Sequence, residues 1–290
     1  PGRADRPYTV PVPVRLVRPL VVSVVIALLC SALAHAQFRR GRGGFGFGAR
    51  TATAADFDGR FHFCRVVFRN AGDGDGGGWS VDYPRADINL SIRLAELTKT
   101  GVGRDATGEP THLLVRLTSD ELFDCPIVMM TEPGGAGLDE MEAARLRLYL
   151  DKGGFLWVDD FWGEYAWDHW VRELRRALPA SDYPIVDLPL SHPIFHTQFE
   201  VRKVTQIPSI NFFFGGGTSE RGSDSAVPHV RALTDKAGRV LVVMTHNTDF
   251  GDSWEREGDD ATYFANFGPD GYAFGINTFR SEEHTSELQS

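Results

Sequence analysis

Short apolar runs alternate with amphipathic segments through most of the chain. The apolar runs have the length and composition of strands buried on both faces. They occur at 61–68, 111–117, 126–131, 155–158 and 239–245. Segments with apolar residues at helical spacing stand between or after them, at 87–97, 138–150 and 167–178. Strands alternating with helices predict an α/β fold: a mostly parallel, doubly wound sheet with helices on both faces.

Local signals suggest where two of these helices begin and end. Asp87 is a good N-cap residue, so we expect the first helix to start there. In the second helix, Met141, Ala144, Leu148 and Leu150 are expected on the buried side, and Gly153 follows the last turn as a C-terminal cap. A Pro-rich stretch at 183–228 is too long for an ordinary connection, which indicates a functional or docking insert.

The N-terminal region has the order of a secretory signal. Four arginines precede the apolar run 20–30, and Ala34-His35-Ala36 follows it. This order predicts a signal peptide at 1–36, cleaved before a Gly/Arg-rich linker at 37–55 and a domain at 56–279. We therefore expect an exported protein of the periplasm or the extracellular space, with membrane contact only through an uncleaved leader.

The last eleven residues differ from the rest. The segment 280–290 resembles the translated start of a common sequencing adapter. We expect it to be non-native and to pack against nothing specific, which would leave the last helix of the domain truncated.

Charge and cysteine content narrow the choice of partners. The formal net charge is −9 at pH 7, so nucleic acid is a poor partner. Outside the leader the chain keeps two cysteines, Cys64 and Cys125. They could pair in an oxidising compartment, but their apolar surroundings favour two buried thiols.

Polar residues gather where predicted strands end. Open parallel sheets bind ligands beyond the carboxyl ends of their strands. Candidate ligand-binding residues at those ends and just after them are Asp159, Asp160, Trp162, His246, Asn247 and Asp249. Two carboxylates beside a histidine can bind a cation or act as acid and base. Alternatively, the carboxylates only cap the next turn or pair with arginines. The sequence specifies neither a metal nor another cofactor.

Three segments carry a family resemblance, namely 149–160, 188–196 and 245–254. They resemble the bacterial family catalogued as domain of unknown function 4159, and 138–160 also resembles the helix–Gly-Gly–strand unit of glutamine amidotransferases. The resemblance implies a flavodoxin-like sheet and no particular activity. Where amidotransferases carry a nucleophilic cysteine, this chain reads Val158-Asp159-Asp160-Phe161. Glutamine hydrolysis through a thioester is therefore excluded.

Three functions remain open from the sequence. The first is a ligand- or partner-binding domain whose partner is a small molecule, a carbohydrate or an envelope protein. The second is a metal-assisted or acid/base hydrolase that uses Asp159, Asp160 and His246. The third is a structural component of an envelope complex that docks through the insert. Whether the chain is an enzyme is left undecided.

Overall fold

The computed structural model describes the backbone of residues 49–287 and the side chains of residues 49–281. The predicted signal peptide, most of the predicted linker and the end of the adapter-like tail lie outside the described residues.

A seven-stranded sheet forms the centre of the domain, in the order β3-β1-β4-β6-β9-β8-β7. Five neighbouring strands are parallel, and β8 and β7 add an antiparallel edge. The strands are β1 (Phe63–Val66), β2 (Arg69–Asn70), β3 (His112–Val115), β4 (Ile127–Thr131), β5 (Ala136–Gly137), β6 (Phe155–Phe161), β7 (Ile185–Asp187), β8 (His229–Thr234) and β9 (Val240–His246). The helices are α1 (Arg85–Leu97), α2 (Glu140–Asp151), α3 (Gly163–Ala177), α4 (Ile210–Phe214), α5 (Phe250–Glu255) and α6 (Ala261–Glu287). The predicted α/β class with a mostly parallel, doubly wound sheet is confirmed.

Helices cover both faces because the parallel strands carry buried apolar residues on both sides. In β6, Leu156 and Val158 face the core formed with α2 and α3. Phe155 and Trp157, one residue out of phase, face the core formed with α1, α5 and α6. The period-two alternation of a strand thus divides one apolar run between two hydrophobic cores.

The prediction that Asp87 caps α1 is wrong. The helix begins at Arg85, and Asp87 lies inside it, fully buried. Arg65 of β1 is also fully buried, and its Nε lies 3.1 Å from both carboxylate oxygens of Asp87. A buried guanidinium needs a partner of opposite charge, and Asp87 supplies it.

The buried face of α2 is only partly the predicted one: Leu150 is buried as expected, but Ala144 is exposed. Asp139 is the N-cap of the helix, one residue after the start of the predicted segment at 138. Its side chain accepts a hydrogen bond from the backbone N–H of Glu142. Met141 and Leu148 are exposed, whereas Leu146 is buried against the sheet. The prediction took the apolar residues as one face, but the residues that are buried in α2 are Ala143, Leu146, Tyr149 and Leu150.

Cys64 and Cys125 are buried, but the expectation of two free thiols is wrong. They form a disulfide with a Cα–Cα distance of 6.2 Å. Cys64 lies in β1 and Cys125 lies two residues before β4, the strand next to β1 in the sheet. The sequence separation of 61 residues hid this adjacency.

The C-terminal helix α6 begins at Ala261, and its backbone continues to Glu287. The side chains of 282–290 lie outside the described residues, so the packing of the adapter-like tail stays a prediction. None of the helices in the described part of the chain is long and apolar enough to cross a membrane.

Candidate functional site

Three neighbouring parallel strands bring polar residues to one edge of the sheet. Glu132 follows the end of β4, while Asp159 and Asp160 lie within β6 because that strand runs to Phe161 rather than ending at Val158 as predicted. His246 ends β9. We call this edge, together with the loops that cover it, the carboxyl edge.

Strained backbone is concentrated at the carboxyl edge. Four non-glycine residues among those described have positive φ: Asp82 (62°), Glu132 (51°), Asp160 (59°) and Asn247 (61°). Three of them lie at the ends of β4, β6 and β9, and Asp82 precedes α1. Positive φ is unfavourable for residues with a Cβ, and such residues collect at functional sites.

Three carboxylates meet at the carboxyl edge and form what we call the acidic cluster: Asp82, Asp160 and Asp249. One oxygen of each lies within 4.8 Å of the others. The residues are only 6%, 6% and 3% exposed, respectively. Like charges this close and this buried repel one another strongly unless something neutralises them.

Fixed donors orient two members of the acidic cluster. Trp162 donates its Nε1–H to Asp160 Oδ1 at 2.8 Å. The backbone N–H of Asp252 donates to Asp249 Oδ1 at 2.7 Å, which caps α5. In contrast, Asp82 Oδ2 is buried and has no hydrogen-bond partner among the described residues. The cluster therefore contains an acceptor that the described protein atoms leave unsatisfied.

Burial dominates the electrostatics of the acidic cluster. It raises the pKa of Asp82, Asp160 and Asp249 well above the ordinary value, and the neighbouring carboxylates raise each pKa further. Arg65 lowers the pKa of Asp82, but its guanidinium is already paired with Asp87. The cluster thus favours either bound protons or a bound cation.

Asp159 lies beside the acidic cluster but is satisfied by protein donors. Its Oδ1 accepts from Thr245 Oγ1 at 2.5 Å, and its Oδ2 accepts from the backbone N–H of Gly251 at 2.9 Å. Burial raises the pKa of Asp159 to about 7, and these two hydrogen bonds oppose the rise. Asp159 fixes the start of α5 against β6 and β9.

His246 does not face the carboxylates in the way the hydrolase hypothesis requires. Its Nδ1 lies 3.2 Å from Arg231 Nη1, and its Nε2 lies 3.1 Å from the carbonyl oxygen of Gly163. Arginine only donates, so Nδ1 accepts and Nε2 carries the proton. Burial lowers the pKa of His246 to about 3. Both ring nitrogens are occupied, and the ring packs against both Phe161 and Trp167.

Asn247 organises the backbone around the carboxyl edge. Its Oδ1 accepts from the N–H of Gly163 at 2.8 Å, and its Nδ2 donates to the carbonyl oxygen of Val227 at 2.9 Å. It therefore joins the start of α3 to the end of the long insert, and its side chain has no donor or acceptor in the acidic cluster.

A second group of acids overlaps the acidic cluster. Asp82 shares it with Asp252 and Glu255, whose oxygens also lie within 4.8 Å of one another. Arg256 contacts Asp252 Oδ1 at 3.2 Å and Glu255 Oε2 at 2.7 Å. This second group of acids is therefore already paired with a positively charged side chain, that of Arg256.

A glycine-rich loop at 72–78 covers part of the carboxyl edge. The N–H of Gly78 donates to Glu132 Oε2 at 2.8 Å, and burial raises the pKa of Glu132 to about 7. Asp75 pairs with Arg221 of the long insert at 3.1 Å. The loop and the insert therefore meet above the ends of the strands.

Of the six predicted binding residues, the structure brings Asp160 and Asp249 into one cluster, with Trp162 as a donor to it. It places Asp159 next to that cluster and gives His246 and Asn247 contacts elsewhere. Sequence reasoning missed Asp82, which lies beyond a glycine loop and far from the other acids in the chain. The available sequence signal was that Asp82 stands just before Tyr83-Pro84 and the start of a helix.

Comparison with known proteins gives one assignment. Residues 62–279 match the model of a family described as a domain of unknown function (DUF4159). A comparison with curated proteins gives no match.

Proposed function

The chain belongs to the DUF4159 family, and, because that description names no activity, we propose from the geometry alone that it is a ligand-binding domain whose ligand is held at the carboxyl edge. The chain lacks the nucleophilic cysteine of amidotransferases, and both of its cysteines outside the predicted leader are joined in a disulfide.

One observation carries the proposal: the strained residues and the repelling carboxylates occupy the same edge. Positive φ at Asp82, Glu132 and Asp160 destabilises the fold, and burying the acidic cluster destabilises it again. Each cost is of the order of 1 kcal/mol or more. A fold that had only to be stable would not combine them in one place, whereas binding sites do.

The acid/base hydrolase is the less favoured alternative. It needs His246 as a base or a ligand, yet both ring nitrogens have partners and protonation would place a second positive charge against Arg231. Asp159 is likewise occupied by Thr245 and by the backbone at Gly251. Of the three residues that the hypothesis names, Asp160 alone belongs to the acidic cluster.

Replacing Asp160 by Asn separates a binding role from a structural one. Asn keeps an acceptor for Trp162 Nε1 and tolerates positive φ, so the variant removes only the charge. If Asp160 serves a ligand, the ligand-free variant should melt at or above the temperature of the native chain. If Asp160 stabilises the fold, its melting temperature should fall.

Asp87→Asn is the matched control, since Asp87 is an equally buried carboxylate that pairs with Arg65. Breaking a buried ion pair costs about 3–5 kcal/mol. At roughly 2–4 °C per kcal/mol for a domain of this size, its melting temperature should fall by at least about 6 °C. A comparable fall in Asp160→Asn would contradict the proposal.

We further propose that the domain works outside the cytoplasm, on a small molecule, a carbohydrate or an envelope protein. The Cys64–Cys125 disulfide supports an oxidising compartment, where such bonds persist. Mass spectrometry of the protein expressed in a bacterial host tests this: a new N-terminus at or near Gln37 is expected, and an intact leader in the cytosolic fraction would contradict it.

A further inference from the structure

The acidic cluster has the features of a cation site rather than of a stabilising network. Its three carboxylates come from three separate segments: the loop before α1, strand β6 and the turn before α5. No arginine, lysine or histidine pairs with Asp82, Asp160 or Asp249 among the ion pairs found in the described residues. The nearby arginines have other partners, since Arg65 pairs with Asp87 and Arg256 pairs with Asp252.

A second, independent observation points to a ligand. Asp82 Oδ2 is buried without a hydrogen-bond partner in the described part of the chain, and Asp82 itself is 6% exposed. Leaving a buried polar atom unsatisfied costs about 1–3 kcal/mol, more for a charged group. Gly251 packs directly against this oxygen, where a Cβ would collide with it. The backbone is thus shaped around an oxygen of Asp82 that has no donor among the described residues.

We propose that Asp82, Asp160 and Asp249 bind a divalent, oxygen-preferring cation. This inference rests on the proposed function and names the ligand class of the same site. Carboxylate oxygens are preferred by Ca²⁺, Mg²⁺ and Mn²⁺, whereas Zn²⁺ and Cu²⁺ favour histidine and cysteine. Here His246 is committed to Arg231 and Gly163, and both cysteines are in the disulfide.

The spacing of the oxygens is compatible with a cation of this class. Two oxygens on opposite sides of Ca²⁺ are about 5 Å apart, because each lies roughly 2.3–2.6 Å from the ion. For Mg²⁺ the corresponding separation is about 4 Å. Oxygens of Asp82, Asp160 and Asp249 that all lie within 4.8 Å of one another can therefore share one such cation. A divalent charge would also offset most of the three negative charges.

Calorimetric titration tests this inference on the full chain after treatment with EDTA and removal of the chelator. Mn²⁺ is the probe, with Ca²⁺ and Mg²⁺ in parallel. The native chain should bind one Mn²⁺, and Asp82→Asn should weaken the affinity at least tenfold. Asn tolerates positive φ, so this variant preserves the backbone at position 82. Asp120→Asn is the control, because it changes an exposed carboxylate outside the acidic cluster; this variant should bind Mn²⁺ as the native chain does.

A second readout covers the case in which the Asp82 variant folds poorly. Mn²⁺ should raise the melting temperature of the native chain and of Asp120→Asn, but not that of Asp249→Asn. Equal Mn²⁺ affinity in the native chain and Asp82→Asn would overturn the inference, as would the absence of Mn²⁺ and Ca²⁺ binding by the native chain. If Asp160→Asn is nevertheless as stable as the native chain, the proposed ligand site survives and only the cation is wrong.

Discussion

Replacing His246 by Phe tests whether this residue is a neutral part of the core or a group available for chemistry. The folded pKa of about 3 lies far below the ordinary value of 6.5, because the ring is buried and its Nδ1 accepts from Arg231. Phe keeps the packing against Phe161 and Trp167 but cannot titrate.

The sign of the effect follows from proton binding. Between pH 6.5 and pH 3 the unfolded chain binds a proton at His246 and the folded chain does not, so native stability falls as the pH falls. A pH of 5 is about 1.5 units below 6.5, the ordinary pKa that His246 has in the unfolded chain. This difference amounts to about 2 kcal/mol at roughly 1.4 kcal/mol per unit.

Urea unfolding at pH 7.5 and pH 5.0 measures this difference. His246→Phe should be less stable than the native chain at pH 7.5, since Gly163 O and Arg231 lose a partner. Its further loss of stability on acidification should, however, be about 2 kcal/mol smaller than that of the native chain. His196→Gln, which changes an exposed histidine, should not reduce the loss. Equal losses in the native chain and His246→Phe would show that His246 is not held neutral, and the argument against the hydrolase would fail.

Two further changes test the framework that positions the carboxyl edge. Reduction of the Cys64–Cys125 disulfide, or its replacement by two alanines, should lower the free energy of unfolding by about 4 kcal/mol, as the chain-entropy relation gives for a loop of 61 residues. Urea unfolding of the oxidised and reduced chain measures this, and two titratable thiols in the unreduced protein would contradict the bond. Arg65→Met should cost about 3–5 kcal/mol because it leaves Asp87 buried and unpaired. Adding Asp87→Leu to Arg65→Met should restore much of that stability, and a double variant no more stable than the single one would refute the pairing.

The parts of the fold that depend on periodicity were predictable from the sequence. Apolar runs such as 155–158 are short and continuous, so they identified the parallel strands and the α/β class. Periodicity did not show which face of a helix packs on the sheet, as with Met141 in α2. It also did not show which distant segments pair, as with Cys64 and Cys125. The antiparallel strands β7 and β8 were missed, because β7 lies inside the proline-rich insert and β8 follows it directly.

The same limit explains what was predictable of the candidate site. Asp160 was identified because the carboxyl ends of parallel strands meet at one edge. Asp82 comes from a loop whose path depends on tertiary contacts, so its meeting with Asp160 and Asp249 could not be derived from spacing. The contacts of His246 were unpredictable for a related reason: the sequence places it at the strand end but does not say that Arg231 lies against its Nδ1.

Diffraction from crystals grown with Mn²⁺ tests most directly whether the carboxyl edge is a cation site built on buried carboxylates. Data collected at the manganese absorption edge locate the ion independently of any assumed ligand. We expect one strong anomalous peak within about 2–2.6 Å of oxygens from Asp82, Asp160 and Asp249. Crystals that show no peak there, or manganese only at exposed surface carboxylates, would contradict it.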